Sequence, residues 1–175
     1  GKEKALFVPS GTMGNEVCLK VLTRPGDEVL CEAGSHIYKN EEGAPSAISG
    51  IQLHVVYGNK GVFTAEQIES EIPAPDVHHP NMTVIAIENT HTTAGGTVFP
   101  IAEVRKIKKL ADKYKIKMHL DGARLWNACI ATGLKPSDYA KYFETVAVCL
   151  SKGLGAPIGS VIASTDELIF EARRV

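Results

Sequence analysis

Short apolar segments rich in β-branched residues alternate along the chain with longer stretches whose apolar residues recur at helical spacing. The short runs predict strands at DEVLCE from Asp27, IQLHVV from Ile51, MTVIAIEN from Met82, IKMHLD from Ile116, TVAVCLS from Thr145 and GSVIAS from Gly159. Between them EVCLKVL, TAEQIESEI, AEVRKIKKLADKY and ARLWNACIATG predict helices. The third has the plainest period: Ile101, Val104, Ile107, Leu110 and Ala111 share a face, and the basic residues opposite them make a solvated one.

This alternation predicts an α/β fold with a mostly parallel sheet covered by helices, because parallel neighbours need crossover connections. Ligands of such sheets sit beyond the carboxyl ends of the strands, so chemically loaded residues should follow strands. Glu88 closes MTVIAIE, Asp121 closes IKMHLD, and Ser151 with Lys152 closes TVAVCLS. No internal repeat, low-complexity segment or linker interrupts the pattern, which makes residues 1–175 one domain.

Composition narrows the partners. The 44% hydrophobic and 22% charged content suits a buried core and excludes a disordered or fibrous chain. Nineteen Lys and Arg against 20 Asp and Glu leave a formal charge of -1, so nucleic acid and anionic membrane surfaces are not expected partners. No apolar run reaches the roughly 20 residues of a membrane helix, and GKEKALFVPSG lacks the apolar stretch of a signal peptide, which predicts a cytoplasmic protein. Cys18, Cys31, Cys129 and Cys149 form no CxxC pair and lie in apolar runs, as small hydrophobic residues do. The chain starts abruptly and stops at FEARRV inside a helical pattern, so the expectation is a part of a longer protein.

Three segments could carry chemistry. Ser10, Gly11, Thr12, Met13, Gly14 and Asn15 precede an apolar helix, where hydroxyls and free N–H groups hold an anion such as phosphate or simply cap the helix. In HLDGAR, a carboxylate at a strand end (Asp121) can hold a cationic nitrogen heterocycle, and the guanidinium of Arg124 can take a carboxylate; the alternatives are a mutual ion pair or a helix cap. In CLSKGLGAPIGS, Lys152 follows an apolar strand, where partial desolvation would free its amine for a Schiff base; alternatively it neutralises a nearby acid. His36 and His79 are candidates for stacking on a planar ring or moving a proton, whereas His54, His78 and His91 are read as structural or solvent-facing. His119 lacks a third credible ligand, so no metal site is expected.

Taken together, SGTMGN, EAGSHIY, HHPN, AIENTHTTAGG, HLDGARLWNA and LSKGLGAPIGS resemble, in order and spacing, the pyridoxal-phosphate-dependent threonine aldolases of the fold-type-I aminotransferase superfamily. The resemblance covers essentially the whole chain and is most specific at HLDGAR and LSKGLGAP. It implies that 1–175 is the large pyridoxal-phosphate-binding domain, with a small C-terminal domain lying outside it. It implies Lys152 as the Schiff-base lysine, Asp121 as the partner of the pyridinium nitrogen, and Ser10, Gly11, Thr12 and Ser151 as phosphate contacts. His36 would stack on the cofactor ring, His79 would approach the substrate hydroxyl, and Arg124 would hold the substrate carboxylate. The implied reaction is retro-aldol cleavage of threonine or allo-threonine to glycine and acetaldehyde, with His36, His79 or a water they hold as base. The implied assembly is a homodimer or homotetramer with sites between subunits. An amino-acid racemase on the same scaffold and a non-catalytic cofactor-binding fragment are the alternatives.

Overall fold

The computed structural model describes residues 1–74 and 76–175. Seven strands form a single sheet in the order β1-β7-β6-β5-β4-β2-β3. They are β1 (Lys4–Val8), β2 (Glu28–Glu32), β3 (Gln52–Val56), β4 (Met82–Glu88), β5 (Lys117–Asp121), β6 (Thr145–Cys149) and β7 (Ser160–Ser164). From β3 through β6 all neighbours are parallel; β7 runs antiparallel to both β6 and β1, so β1 points the same way as the parallel set. The six expected strands are all present, and β1 is the addition. It lies on the sheet edge, where Lys4, Ala5 and Phe7 are exposed.

Helices cover both faces, as the alternation requires. Against one face lie α3 (Ala65–Glu71), α4 (Ile101–Tyr114), α5 (Leu125–Thr132) and α6 (Pro136–Ala140), which enclose Leu30, Ile85, Ile87, Met118, Leu120 and Val146 with Ile68, Ile107, Phe143 and Tyr139. The other face carries α1 (Gly11–Leu22), α2 (His36–Lys39), a π-helical turn (Pro45–Ser49) and α7 (Asp166–Ala172), packed on Val29, Cys31, Val84, Ala86, Ala147 and Ile162. Strand alternation divides the two sets: on β5 Met118 and Leu120 face α4, whereas His119 and Asp121 face α1. The four cysteines are buried and unpaired. Among the described residues no helix is long and apolar enough to cross a membrane.

Two features of the topology create the site. From β4 the chain continues through β5, β6 and β7 in one direction across the sheet, while β2 and β3 lie on its other side, so the connections diverge at the carboxyl ends of β2 and β4. The β6–β7 connection has no helix. It is a glycine-rich loop closed by Leu150 N–H to Gly159 O (3.0 Å) and Ala156 N–H to Leu150 O (3.0 Å), and it carries Lys152 along the same edge.

Candidate active site

The carboxyl edge gathers Ser10 to Thr12 after β1, His36 after β2, Glu88 ending β4, Asp121 to Arg124 after β5, and Ser151 with Lys152 after β6. Registry alone places Glu88 directly beside Asp121, since the two are paired across β4 and β5. Gly122 allows the turn that follows: its N–H bonds Ala147 O at 2.7 Å, and a Cβ would meet that oxygen at 2.9 Å.

Asp121 is buried, with Oδ2 accepting from Asn15 Nδ2 at 2.8 Å and Oδ1 from Ala123 N–H at 3.1 Å. Burial pushes its carboxyl up to about 6, the neighbouring Glu88 charge adds to that, and the two hydrogen bonds pull the other way. It makes no ion pair with Arg124, so of the local alternatives only the turn contact to Ala123 is realised. Asn15 is the hub beneath it. Its amide donates to both Asp121 Oδ2 and Glu41 Oε1 (2.8 Å each), leaving Oδ1 to accept from His119 Nε2 at 3.1 Å. That requirement fixes His119 as the Nε2–H tautomer, with Nδ1 accepting from Thr145 Oγ1 at 2.9 Å. Burial drops the His119 imidazole to about 4, so it is neutral and holds Asn15.

His36 begins α2. Its backbone N–H donates to Glu88 Oε2 at 2.7 Å, and its ring Nδ1 lies 2.8 Å from Glu41 Oε1. The Glu41 hydrogen bond raises its basicity, partial burial opposes that, and Lys152 is close enough for its charge to oppose it too. Lys152 is half-buried and makes no ion pair among the described residues, which sets aside the reading of a lysine tied to a nearby acid. Arg124 donates from Nη1 to Thr92 Oγ1 at 2.6 Å, and Thr92 N–H donates to Glu88 Oε1 at 2.8 Å. This orients a guanidinium that no carboxylate of the described residues neutralises.

The phosphate-type turn is a helix N-terminus. Ser10 caps α1, its Oγ accepting from Met13 N–H at 3.1 Å, and Gly14 N–H bonds Ser10 O, also at 3.1 Å. The Gly11 and Thr12 N–H groups, unused by the first turn, face outward where the helix dipole favours an anion. Gly11 lies against the end of β6; a Cβ there would meet Cys149 Sγ at 2.9 Å.

His79 is not brought to this cluster within one chain. It is exposed in the loop before Met82, beside a 450 Å³ cavity lined by Ile72, Tyr114 and Ile116 at the amino end of β4. The seven-residue β4 separates it from Glu88 by roughly 20 Å at strand rise. A residue that precedes a strand cannot reach the edge where that strand ends. A second histidine on the carboxyl edge, besides His36, is His91, buried, with Nδ1 accepting from Ala94 N–H at 3.3 Å and Nε2 2.9 Å from Glu32 Oε2. Nδ1 thus holds the 91–97 loop, whereas Nε2, close to the Glu32 carboxylate, makes no hydrogen bond among the described residues. His54 pairs with Glu28 (3.3 Å) and Glu71 (3.0 Å) away from the site. Sequence reasoning missed Glu16, Glu41 and Thr92; two polar residues, Asn15 and Glu16, in an otherwise apolar stretch of α1 were the one available signal. His36, Glu41 and Asp121 offer ligand atoms within 4.8 Å of one another, and the hydrogen bonds above already join Glu41 to His36 and, through Asn15, to Asp121.

Comparison with known proteins finds relatives along the whole chain. The profile of the family described as beta-eliminating lyase matches residues 1–175. The chain is 41% identical over its full length to "Low-specificity L-threonine aldolase 1" of Arabidopsis thaliana, covering 50% of that protein. It is 40% identical to "Low-specificity L-threonine aldolase" of Candida albicans, over 98% of this chain and 46% of that one. Among solved structures, the threonine aldolase of Leishmania major superposes with a TM-score of 0.88 at 25% identity, covering 98% of this chain and 50% of that one. The chain spans about half the length of the curated relatives it matches.

Proposed function

The chain belongs to the beta-eliminating lyase family, and on that premise we propose that it is the cofactor-binding part of a pyridoxal-phosphate-dependent aldolase. The full protein would cleave L-threonine, L-allo-threonine and related β-hydroxy-α-amino acids to glycine and an aldehyde. The observation that carries this reading is the convergence on one sheet edge of a buried acid (Asp121), a half-exposed imidazole (His36), and a lysine and an arginine free of ion pairs (Lys152, Arg124).

The residues fit the group. Asp121, Glu88 and Glu41 put several acidic side chains into a buried space, and a cationic ring nitrogen would offset the burial and the Glu88 charge that raise Asp121. At the other end of the edge, the Gly11 and Thr12 N–H groups with the Ser10 and Ser151 hydroxyls suit a phosphate. When bound, pyridoxal phosphate supplies an electron sink for the negative charge left at Cα.

The chain's own residues would do the rest. Lys152 offers the Nζ nucleophile that anchors the aldehyde. Arg124, oriented by Thr92, would take the amino acid's carboxylate in its fork and so fix which bond stands ready to break. His36 donates Nδ1–H to Glu41, which leaves Nε2 with a free lone pair to accept the hydroxyl proton directly or through a water. His79 has no such position within one chain. Met13, Leu154 and Ile158, exposed beside the site, support assembly of the full protein as a homodimer or homotetramer. The free cysteines suit a reducing compartment, which supports a cytoplasmic assignment.

The test is to supply the full-length protein with pyridoxal phosphate and L-threonine or L-allo-threonine and to measure acetaldehyde beside a Lys152→Ala control. Acetaldehyde that vanishes in the control supports the reading. An inverted amino acid with its skeleton intact would instead establish a racemase.

A further inference from the structure

Glu16 and Glu41 are both buried, with only 3% and 2% of their surfaces exposed. Glu41 takes a hydrogen bond from Asn15, the neighbour of Glu16 in the chain, and is the acid that interacts with the Glu16 carboxyl. Three of the four oxygens, Glu16 Oε1 and Oε2 and Glu41 Oε2, have no donor, while the fourth, Glu41 Oε1, accepts from both Asn15 Nδ2 and His36 Nδ1. Two ionised carboxylates cannot satisfy each other, since each is acceptor-only, and neither oxygen pair reaches solvent. One proton placed between them removes both problems.

We propose that Glu16 is a carboxylic acid donating its proton to Glu41 Oε2, and that Glu41, so fixed as a single buried anion, is the positioning residue that holds the His36 ring and Asn15. The pair then carries one negative charge, and that charge is spent on two donors that face the candidate site: the His36 Nδ1–H and, through Asn15, the group that holds Asp121. Glu41 thereby makes the ring angle of His36 and the orientation of Asp121 depend on one another. Burial and the facing Glu41 both hold the Glu16 carboxyl well above the ordinary carboxylate range. The ionisable groups facing the pair are His36 on α2 and Asp121 on β5, with neutral His119 of β5 bonded to Asn15, Glu88 on β4 behind Asp121 and Lys152 near His36. The π-helical turn, β6 and β7, which pack on α1, bring no acidic or basic side chain, and the acids of α7 are exposed.

This assignment concerns protons of the ligand-free protein; only its consequence for His36 rests on the proposed cofactor reading. The experiment therefore uses full-length protein without cofactor. Infrared difference spectra in H2O and D2O at neutral pH should show a protonated-carboxyl C=O band in the wild type that Glu16→Gln removes. The pH dependence of unfolding gives a second reading. An acid whose folded pKa is raised has its full stability below the unfolded pKa, about 4.3 for Glu, and loses stability as pH rises above it. The wild type should thus lose about one proton's worth of slope per pH unit relative to Glu16→Gln between pH 5 and 7. Histidine NMR should keep His36 in the Nδ1–H form in Glu16→Gln, which still donates to Glu41, and lose it in Glu41→Leu, which leaves Nδ1 without that acceptor. An unchanged carboxyl band and identical pH slopes in Glu16→Gln would overturn the shared proton. An unmoved His36 tautomer in a folded Glu41→Leu protein would overturn the positioning role. Both results stand whether or not the loaded enzyme proves to be an aldolase.

Discussion

The two ends of the parallel strands carry similar side chains in opposite surroundings. Toward the amino end, His54 lies between Glu28 and Glu71, and Lys113 pairs with Glu69 on the surface, so each of these acids has a basic partner. At the carboxyl end Glu16, Glu41, Glu88 and Asp121 are buried together, and the cations near them, Lys152 and Arg124, pair with none of them. The first arrangement is content by itself and contributes little, since exposed pairs are worth about 0 to 1 kcal/mol. The second is incomplete: acids are held in low dielectric by hydrogen bonds rather than by counter-charges. A site built to receive a ligand with a cationic ring nitrogen and anionic substituents has that form.

Substitutions along this contrast should grade in effect. Lys152→Ala is expected to abolish aldehyde release by the full-length protein and to remove its visible Schiff-base absorbance, read in a spectrophotometer; retained turnover would separate the lysine from the chemistry. His36→Ala should slow cleavage strongly while the cofactor stays bound, because Asn15 and Ala123 still hold Asp121 and Lys152 is untouched; an unchanged rate with full cofactor occupancy removes His36 from the proton path.

Asp121→Asn sharpens the comparison through stability. The folded carboxyl, pushed up to about 6 by burial and by Glu88, makes the ligand-free protein less stable as pH rises from the unfolded value near 3.9 to that point. Two pKa units correspond to about 3 kcal/mol at most, so Asp121→Asn should flatten the pH dependence of denaturant unfolding between pH 4 and 6 while losing cofactor affinity. A wild-type curve that is already flat there would contradict the account. Asn15→Ala removes a donor from two buried carboxyls and an acceptor from His119, for an expected loss of about 1 to 3 kcal/mol in the same assay. The smallest change is expected at the amino end: exposed His79→Ala should shift stability by less than about 0.5 kcal/mol. Its turnover in the full-length protein should match the wild type; a lost rate would mean that a second copy delivers this histidine.

Much of the edge was legible because strand ends are legible. Asp121, Glu88 and Lys152 are marked in the sequence as the polar residues that stop apolar runs, and parallel topology then puts them on one edge. The same rule, applied strictly, separates His79, which precedes a strand, from His36, which follows one. Glu41 follows a four-residue helix whose short pattern gives no period to read. His91 looked like one more loop histidine, and only the packing of its ring against Gly61, where a Cβ would come within 2.4 Å, shows that it is buried.

The amino-acid sequence by itself determined the period of each element, and so the parallel sheet, its two helix layers and the edge on which polar residues collect, because hydrophobic spacing and connection length are local properties of the chain. Tertiary structure alone decided which of those polar residues touch. Asn15 meets Asp121 across 106 positions of sequence and Glu41 across 26, and Glu16 meets Glu41 only because α1 and the segment after α2 cover the same strand ends. Hydrogen bonds and proton sharing act over about 3 Å. Contacts on that scale between distant segments are fixed by how the layers pack, and no spacing along the chain encodes them.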